Sequence, residues 1–379
     1  MIIHSFLCWA ETAKVAERTR AASALGRAYR QRSLKGPDQH AAEMAMTFLL
    51  DDPSPKVRLA LAEAIADSAE TPRSLILPLA SDQPEIAYTV IFRSPVLTDD
   101  DLVDIAARGT PEIRGVIAAR RQLSPAVSAA IVEIGGLAEM LILLDNPHAH
   151  LIARTLRRIA ERYGHEPRAR EALLQRDALP SDVRHILIEK VGQALALSGL
   201  VRSVVGGERV DRIAREACDN AAVEMAGSSP QAELPRLVAH LRDTGRLTPA
   251  FLLQALVTGR IDFFAAAIVI LSTLNERRVR SILSDGRLHA IRALFQSAGL
   301  SPEIGALFAE AVLLWRVERS RLLGSETTGV AADLLVRLGQ TRTALSGSPA
   351  VRAILEQLSI AERRRGARAY ANQVVREAA

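Results

Sequence analysis

Four groups of side chains in this sequence have types and spacings that could do chemistry. Asp145, His148 and His150 lie within one short stretch and offer the ligand types a metal would take. Two histidines at i and i+2 project from different faces of a helix, however, and no third ligand of suitable spacing follows. A polar turn at Asn146-Pro147 is expected there, not a metal centre. The run Asp99-Asp100-Asp101, with Asp104 beyond it, offers carboxylates to a hard cation. It also follows Thr98, and a helix N-terminus attracts acids without any metal. Arg93, Arg120 and Arg176 recur seven residues after a repeating apolar position. Standing along one edge, their guanidinium groups would make a ladder for a protein or peptide partner. Their plainer use is to offset helix macrodipoles at C-terminal ends, worth about 0.3–1 kcal/mol each. Finally, Arg18, Arg20, Arg27 and Arg30 near the start and Arg363, Arg364, Arg365 and Arg368 near the end form basic arms that could meet phosphates.

Catalytic motifs are missing from this inventory. The sequence has no Gly-x-Ser-x-Gly elbow, no phosphate-binding glycine loop and no paired metal ligands. It therefore predicts a non-enzymatic protein with no cofactor and no metal.

The elements that position these residues come from an internal repeat. Segments beginning at Val57, Ile86, Ile113, Met140 and Ala169 follow one another at steps of 27 or 29 residues. Each unit holds two short helices, and neither is long enough to be stable alone in water. Stacked units bury a continuous apolar seam, which is the physics of a solenoid. Pro55, Pro84 and Pro111 stand two residues before their anchors, in a first helical turn where a missing N–H costs nothing. Ten residues after the anchors come Val96, Leu123 and Leu179, expected to be buried between units, with Thr98 and Ser124 placed to cap the second helix. Leu123 should be buried and Arg120 exposed.

Outside the repeats, residues 5–32 read as one helix and Gln39 to Leu50 as another. After Ser198 the period is lost. A second helical domain follows, with the almost uniformly apolar helix Phe263 to Leu274 expected at its centre. Gly324 to Gly329 reads as a loop ahead of the last helices. The expected organisation is N-terminal helices over 1–50, a repeat array over 51–198, a C-terminal helical domain over 199–323, and terminal helices with a basic end over 324–379.

Composition agrees with an all-α chain. Hydrophobic residues make up 49% and aromatics only 4%, so the apolar mass is Ala, Leu, Val and Ile at helical spacing. No apolar run is long enough for a membrane span. The first residues lack the pattern of a signal peptide and are expected to start a helix. Cys8 and Cys218 lie too far apart to suggest a disulfide framework, which fits a reducing, cytoplasmic setting. The net charge is +5, yet the basic excess sits in the arms and the chain between them is net acidic. A nucleic-acid groove usually shows as a basic stripe on the domain itself. Binding nucleic acid through the arms, in the manner of helical-repeat DNA glycosylases, is thus the alternative reading, and a protein or peptide partner the leading one. Only four of the 48 basic residues are lysines, which base composition accounts for more simply than selection for phosphate contacts.

The stretch Leu49-Leu50-Asp51-Asp52-Pro53-Ser54-Pro55-Lys56-Val57-Arg58-Leu59-Ala60-Leu61-Ala62-Glu63 resembles members of a bacterial domain-of-unknown-function family with HEAT-type helical repeats. Arg93-Ser94-Pro95-Val96-Leu97 is similar to that family's second-unit turn. Gly245-Arg246-Leu247-Thr248-Pro249, with Leu252-Leu253, Ala255-Leu256, Gly259 and Phe263-Phe264, is similar to its C-terminal signature. The resemblance runs to about Val317. It implies a HEAT/armadillo-like α-solenoid of about five two-helix repeats followed by a second helical domain. It carries over no catalytic residue.

Overall fold

Apolar residues at helical spacing, with proline or a capping side chain at many of the starts, leave the chain little choice but helices. A computed structural model describes residues 2–31, 34, 36–176, 179–321, 330–340 and 348–377, and no strand occurs among them. The expected loop at 324–329 and Lys35 lie outside the described residues. The chain divides into two compact units, Met1–Leu179 and Pro180–Ala379.

The first unit contains α1 (Ile2–Thr12), α2 (Val15–Arg30), α3 (Pro37–Leu50), α4 (Pro55–Ile65), α5 (Arg73–Ala80), α6 (Pro84–Arg93), α7 (Asp99–Arg108), α8 (Pro111–Ala118), α9 (Pro125–Ile134), α10 (Leu137–Asp145), α11 (Ala153–Tyr163) and α12 (Pro167–Leu174). Pro55, Pro84 and Pro111 are the first residues of α4, α6 and α8, as their spacing predicts. Thr98 and Ser124 cap α7 and α9 by accepting from the Asp101 and Val127 N–H groups. Alternate helices pack on one another: α2 on α4, α4 on α6, α6 on α8, α8 on α10 and α10 on α12, with α7, α9 and α11 making a second row. Val57, Ile86, Met140 and Ala169 are fully buried in this packing. Ile113 is only half-buried, and Ile117, one turn further, fills its place. Leu123 and Leu179 are buried as expected. Val96 is half-buried because its neighbour Leu97 takes the core position.

The reading of one helix over 5–32 needs correction. The chain breaks after Thr12, and Lys14 is extended. Glu17, three residues on, accepts the Lys14 N–H at 3.1 Å, the backward half of a capping box, and so starts α2 afresh.

Charged ties join successive helix pairs. Arg58 spans from the Asp52 carbonyl to the Asp82 carboxylate, and Arg18 makes a two-pronged bond to Asp52. Asp101 accepts from Thr98 while Arg73 of α5 grips both its oxygens, at 2.7 and 2.9 Å. The Arg73 guanidinium, with help from Thr98, holds the Asp101 carboxyl down at about 2. A carboxyl depressed on folding stabilises above its unfolded pKa, near 3.8, and that stability disappears as pH falls towards 2. Asp101→Asn should therefore cost about 1 kcal/mol at pH 7, the size of a helix cap. The gap from the parent should close between pH 4 and pH 2. Urea unfolding followed through Trp9, in a Trp315→Phe background, measures this in the first unit. A gap that stays constant down to pH 2 would show that the pair contributes nothing.

The second unit contains α13 (Ser181–Leu197), α14 (Gly199–Val205), α15 (Gly207–Ser228), α16 (Leu234–Asp243), α17 (Pro249–Val257), α18 (Ile261–Ser272), α19 (Glu276–Asp285), α20 (Leu288–Ser297), α21 (Pro302–Arg321), α22 (Val330–Gln340) and α23 (Pro349–Glu377). Its core forms around α18, whose Phe263, Phe264, Ala267 and Ile268 are completely buried, in keeping with the apolar character of that segment. Phe264 stacks on Phe308 and meets Phe295 edge-on. Among the described residues no helix is long and apolar enough to cross a membrane.

Candidate functional site

The first unit's row of α4, α6, α8 and α10 is held together by side chains that reach back to the preceding helix end. The last carbonyls of a helix have no partner within it. Arg120, just past α8, donates from Nη1 to the Ile91 carbonyl and from Nη2 to that of Ser94 at 2.8 Å, closing the end of α6. Asn146, just past α10, donates to the carbonyls of Ala118 and Arg120, both at 2.8 Å, closing α8. Arg176, past α12, reaches the Leu144, Asn146 and Ala149 carbonyls, closing α10. Arg93, the last residue of α6, instead meets Asp67, which follows α4.

The expectation that Arg120 is exposed is therefore corrected: it is 6% exposed. Burial pushes the pKa of Arg120 and Arg176 down, whereas the Asp67 carboxylate pushes that of Arg93 up. Of the three arginines on this recurring position, two are spent on neighbouring carbonyls. Arg93 alone stands beside an open surface.

That surface is a groove of about 740 Å³ across the same four helices. Tyr88 and Phe92 come from α6, Val116 and Ala119 from α8 and its end, and Ile142 from α10. Phe92 and Ile142 are 42% and 39% exposed, large apolar side chains left facing water on either side of α8. Gly115 keeps the floor open. A glycine inside a helix costs about 1 kcal/mol relative to alanine, and a Cβ here would stand 3.2 Å from the Ile142 Cδ1. The rim is acidic. Glu63 and Glu112 are exposed, while Glu139 is buried and bound by Arg114. No histidine or cysteine lines the groove.

The other predicted groups are accounted for separately. His148 and His150 sit in the turn between α10 and α11, where the His148 N–H donates to Asn146 Oδ1. Asp101 and Thr98 serve the start of α7. In the N-terminal arm Arg18 is bound to Asp52, Arg20 donates to the Ala16 carbonyl, Arg27 donates to Ser23, and Arg30 lies 4.0 Å from Asp67. In the C-terminal arm Arg363 donates to Ser359 and Arg364 pairs with Glu216. The side chains of Arg365 and Arg368 lie outside the described residues. The groove was missed from sequence because its residues come from four different helix pairs. The signal available was the exposed-face position of Phe92 and Ile142 beside a mid-helix glycine.

Residues 86–345 match the family of uncharacterised proteins conserved in bacteria, DUF2336, and the chain belongs to that family. No curated protein and no solved structure matches it.

Proposed function

We propose that this member of an uncharacterised bacterial family is a non-enzymatic, HEAT-like helical-repeat scaffold. Its first unit holds an amphipathic helical segment of a protein partner in the groove across α4, α6, α8 and α10. The observation that carries this reading is the exposed apolar lining, Phe92 and Ile142 above all, bounded by Glu63 and Glu112. Contiguous exposed apolar surface with a polar rim marks interaction sites in soluble proteins. An amphipathic helix presents anchors at i, i+3 or i+4, and i+7, which suits a groove crossing parallel ridges. The acidic rim selects a helix flanked by lysine or arginine. The alternation of packed helices and the back-reaching caps also support the solenoid reading. Nucleic-acid binding has less support, because Arg18 and Arg364 are engaged with carboxylates and the groove rim would repel phosphate.

The test uses a fluorescent amphipathic peptide with leucines at i, i+3 and i+7 and flanking lysines. It should bind the parent chain, and the double variant Phe92→Asp, Ile142→Asp should bind at least about tenfold more weakly, the loss of one anchor's worth of contact. Both side chains are exposed, so circular dichroism should not change. Equal binding by parent and variant would reject the groove. Tight duplex DNA binding whose salt slope steepens by about 0.9 per phosphate would favour the nucleic-acid reading instead.

A further inference from the structure

A second cluster of chemically capable side chains lies in the second unit, on α13 and α16. His185 and Glu189 are one turn apart on α13, so their side chains share a face. α16 packs against α13 and brings His240 to the same point. His185 Nδ1 and His240 Nε2 are 3.1 Å apart, and Glu189 Oε2 lies 3.8 Å from His185 Nδ1. All three ligand atoms fall within 4.8 Å of one another. The histidines are 1% and 2% exposed, while the Glu189 side chain keeps 15% exposure.

We propose that His185, Glu189 and His240 bind a divalent transition-metal ion of the zinc class. Metal–nitrogen bonds of 2.0–2.1 Å in a tetrahedron put two ligand nitrogens about 3.3 Å apart, and the imidazoles already stand near that separation. A small rotation of the partly exposed Glu189 side chain closes the third edge. Two imidazoles and one carboxylate suit zinc and its first-row neighbours, and do not suit magnesium or calcium, which want oxygen. Arg246 supplies the outer support. Its Nε holds Glu189 Oε1 at 3.1 Å, leaving Oε2 towards the histidines. Its Nη1 meets Asp219 at 3.3 Å, so a second carboxylate offsets part of the arginine's charge beside the ion. Exposure at Glu189 gives the ion a way in and leaves room for water as a fourth ligand.

The full chain, stripped with a chelator and freed of it, is titrated with Co²⁺ as a spectroscopic stand-in. One Co²⁺ per chain should bind, giving the intense visible bands of four- or five-coordinate cobalt. Zn²⁺ should displace it, and Mg²⁺ should not. His185→Gln and His240→Gln should each weaken Co²⁺ on the order of 100-fold, at least what loss of an outer partner costs a metal site. Should either histidine variant fail to fold, Glu189→Gln serves as the second variant, because glutamine still accepts from Arg246. It should weaken Co²⁺ at least about tenfold and abolish the rise in thermal midpoint that Zn²⁺ gives the parent, read through Trp315 in a Trp9→Phe background. The proposal is overturned if the parent shows no cobalt bands. It is equally overturned if the bands persist undiminished in Glu189→Gln and in a folded histidine variant, which would place the ion on other side chains.

Discussion

Arg120→Met should lower the stability of the first unit by about 2–4 kcal/mol, a large effect for a residue at a position that reads as exposed. The substitution keeps most of the side-chain volume and removes only the charged fork. Two opposing contributions decide its sign. Burying a guanidinium is costly, as the downward push on its pKa reflects, and methionine avoids that cost. Its Nε lies buried without a partner, which adds to the penalty. Against this, the Ile91 and Ser94 carbonyls stay where they are when the arginine goes. Each was accepting a charge-assisted bond at the end of α6, and each then loses about 1–3 kcal/mol in an enclosed place. Two orphaned carbonyls outweigh one desolvated cation that the fold already tolerates. Arg120→Lys should recover less than half of the loss, because a single ammonium nitrogen cannot occupy the two places from which Nη1 and Nη2 reach the carbonyls. Urea unfolding followed by Trp9 in the Trp315→Phe background measures both. A loss under about 0.5 kcal/mol for Arg120→Met would mean that the α6 end finds other partners, and the caps at Asn146 and Arg176 would then have to be reconsidered too.

The same residue shows where legibility in the sequence stops. The repeat was readable because its period is carried by residue types that only burial explains, so Val57, Ile86 and Met140 could be aligned without coordinates. Prolines and capping hydroxyls are local signals, and Pro111, Thr98 and Ser124 act as their neighbours predict. The break at Lys14 was also local, written in Glu17 three residues on, but the apolar period running through it hid the signal. Arg120 is different. Its partners are carbonyls 26 and 29 residues earlier, and a backbone carbonyl leaves no mark in a sequence to say that it lacks a donor. The groove was illegible for a related reason, since Phe92 and Ile142 look like any other apolar residues until the packing shows which face is left open. Two of the three members of the His185 cluster, His185 and Glu189, stand at i and i+4, a spacing too common on helices to signal a metal by itself. The third member, His240, is 55 residues on from His185, and only the packing of α16 on α13 brings it in.

In the second unit the largest loss is expected at Phe264. Phe264→Ala should cost about 3–5 kcal/mol, the range for removing a fully buried phenylalanine. Its ring stacks on Phe308 with centroids 5.8 Å apart and an interplanar angle of 13°, and meets Phe295 edge-on at 6.1 Å. Phe295 and Phe308 touch each other at 5.6 Å, so the three rings form a closed set joining α18, α20 and α21. Removing the shared member leaves the other two facing a void, and aromatic contacts worth about 0.5–1.5 kcal/mol per pair are lost beyond the buried area. Collapse of neighbours into the space is limited, because all three rings are completely buried and the backbone around them is helical. Phe264→Leu should cost much less, since it refills most of the volume without restoring the ring contacts. Trp315 lies on α21 and packs partly against this core, so its fluorescence in a Trp9→Phe background reports the unit directly. The two substitutions separate packing from ring geometry. If leucine is as damaging as alanine, the aromatic arrangement itself holds the three helices together; if both cost less than about 1 kcal/mol, α18 is not the centre of the second unit.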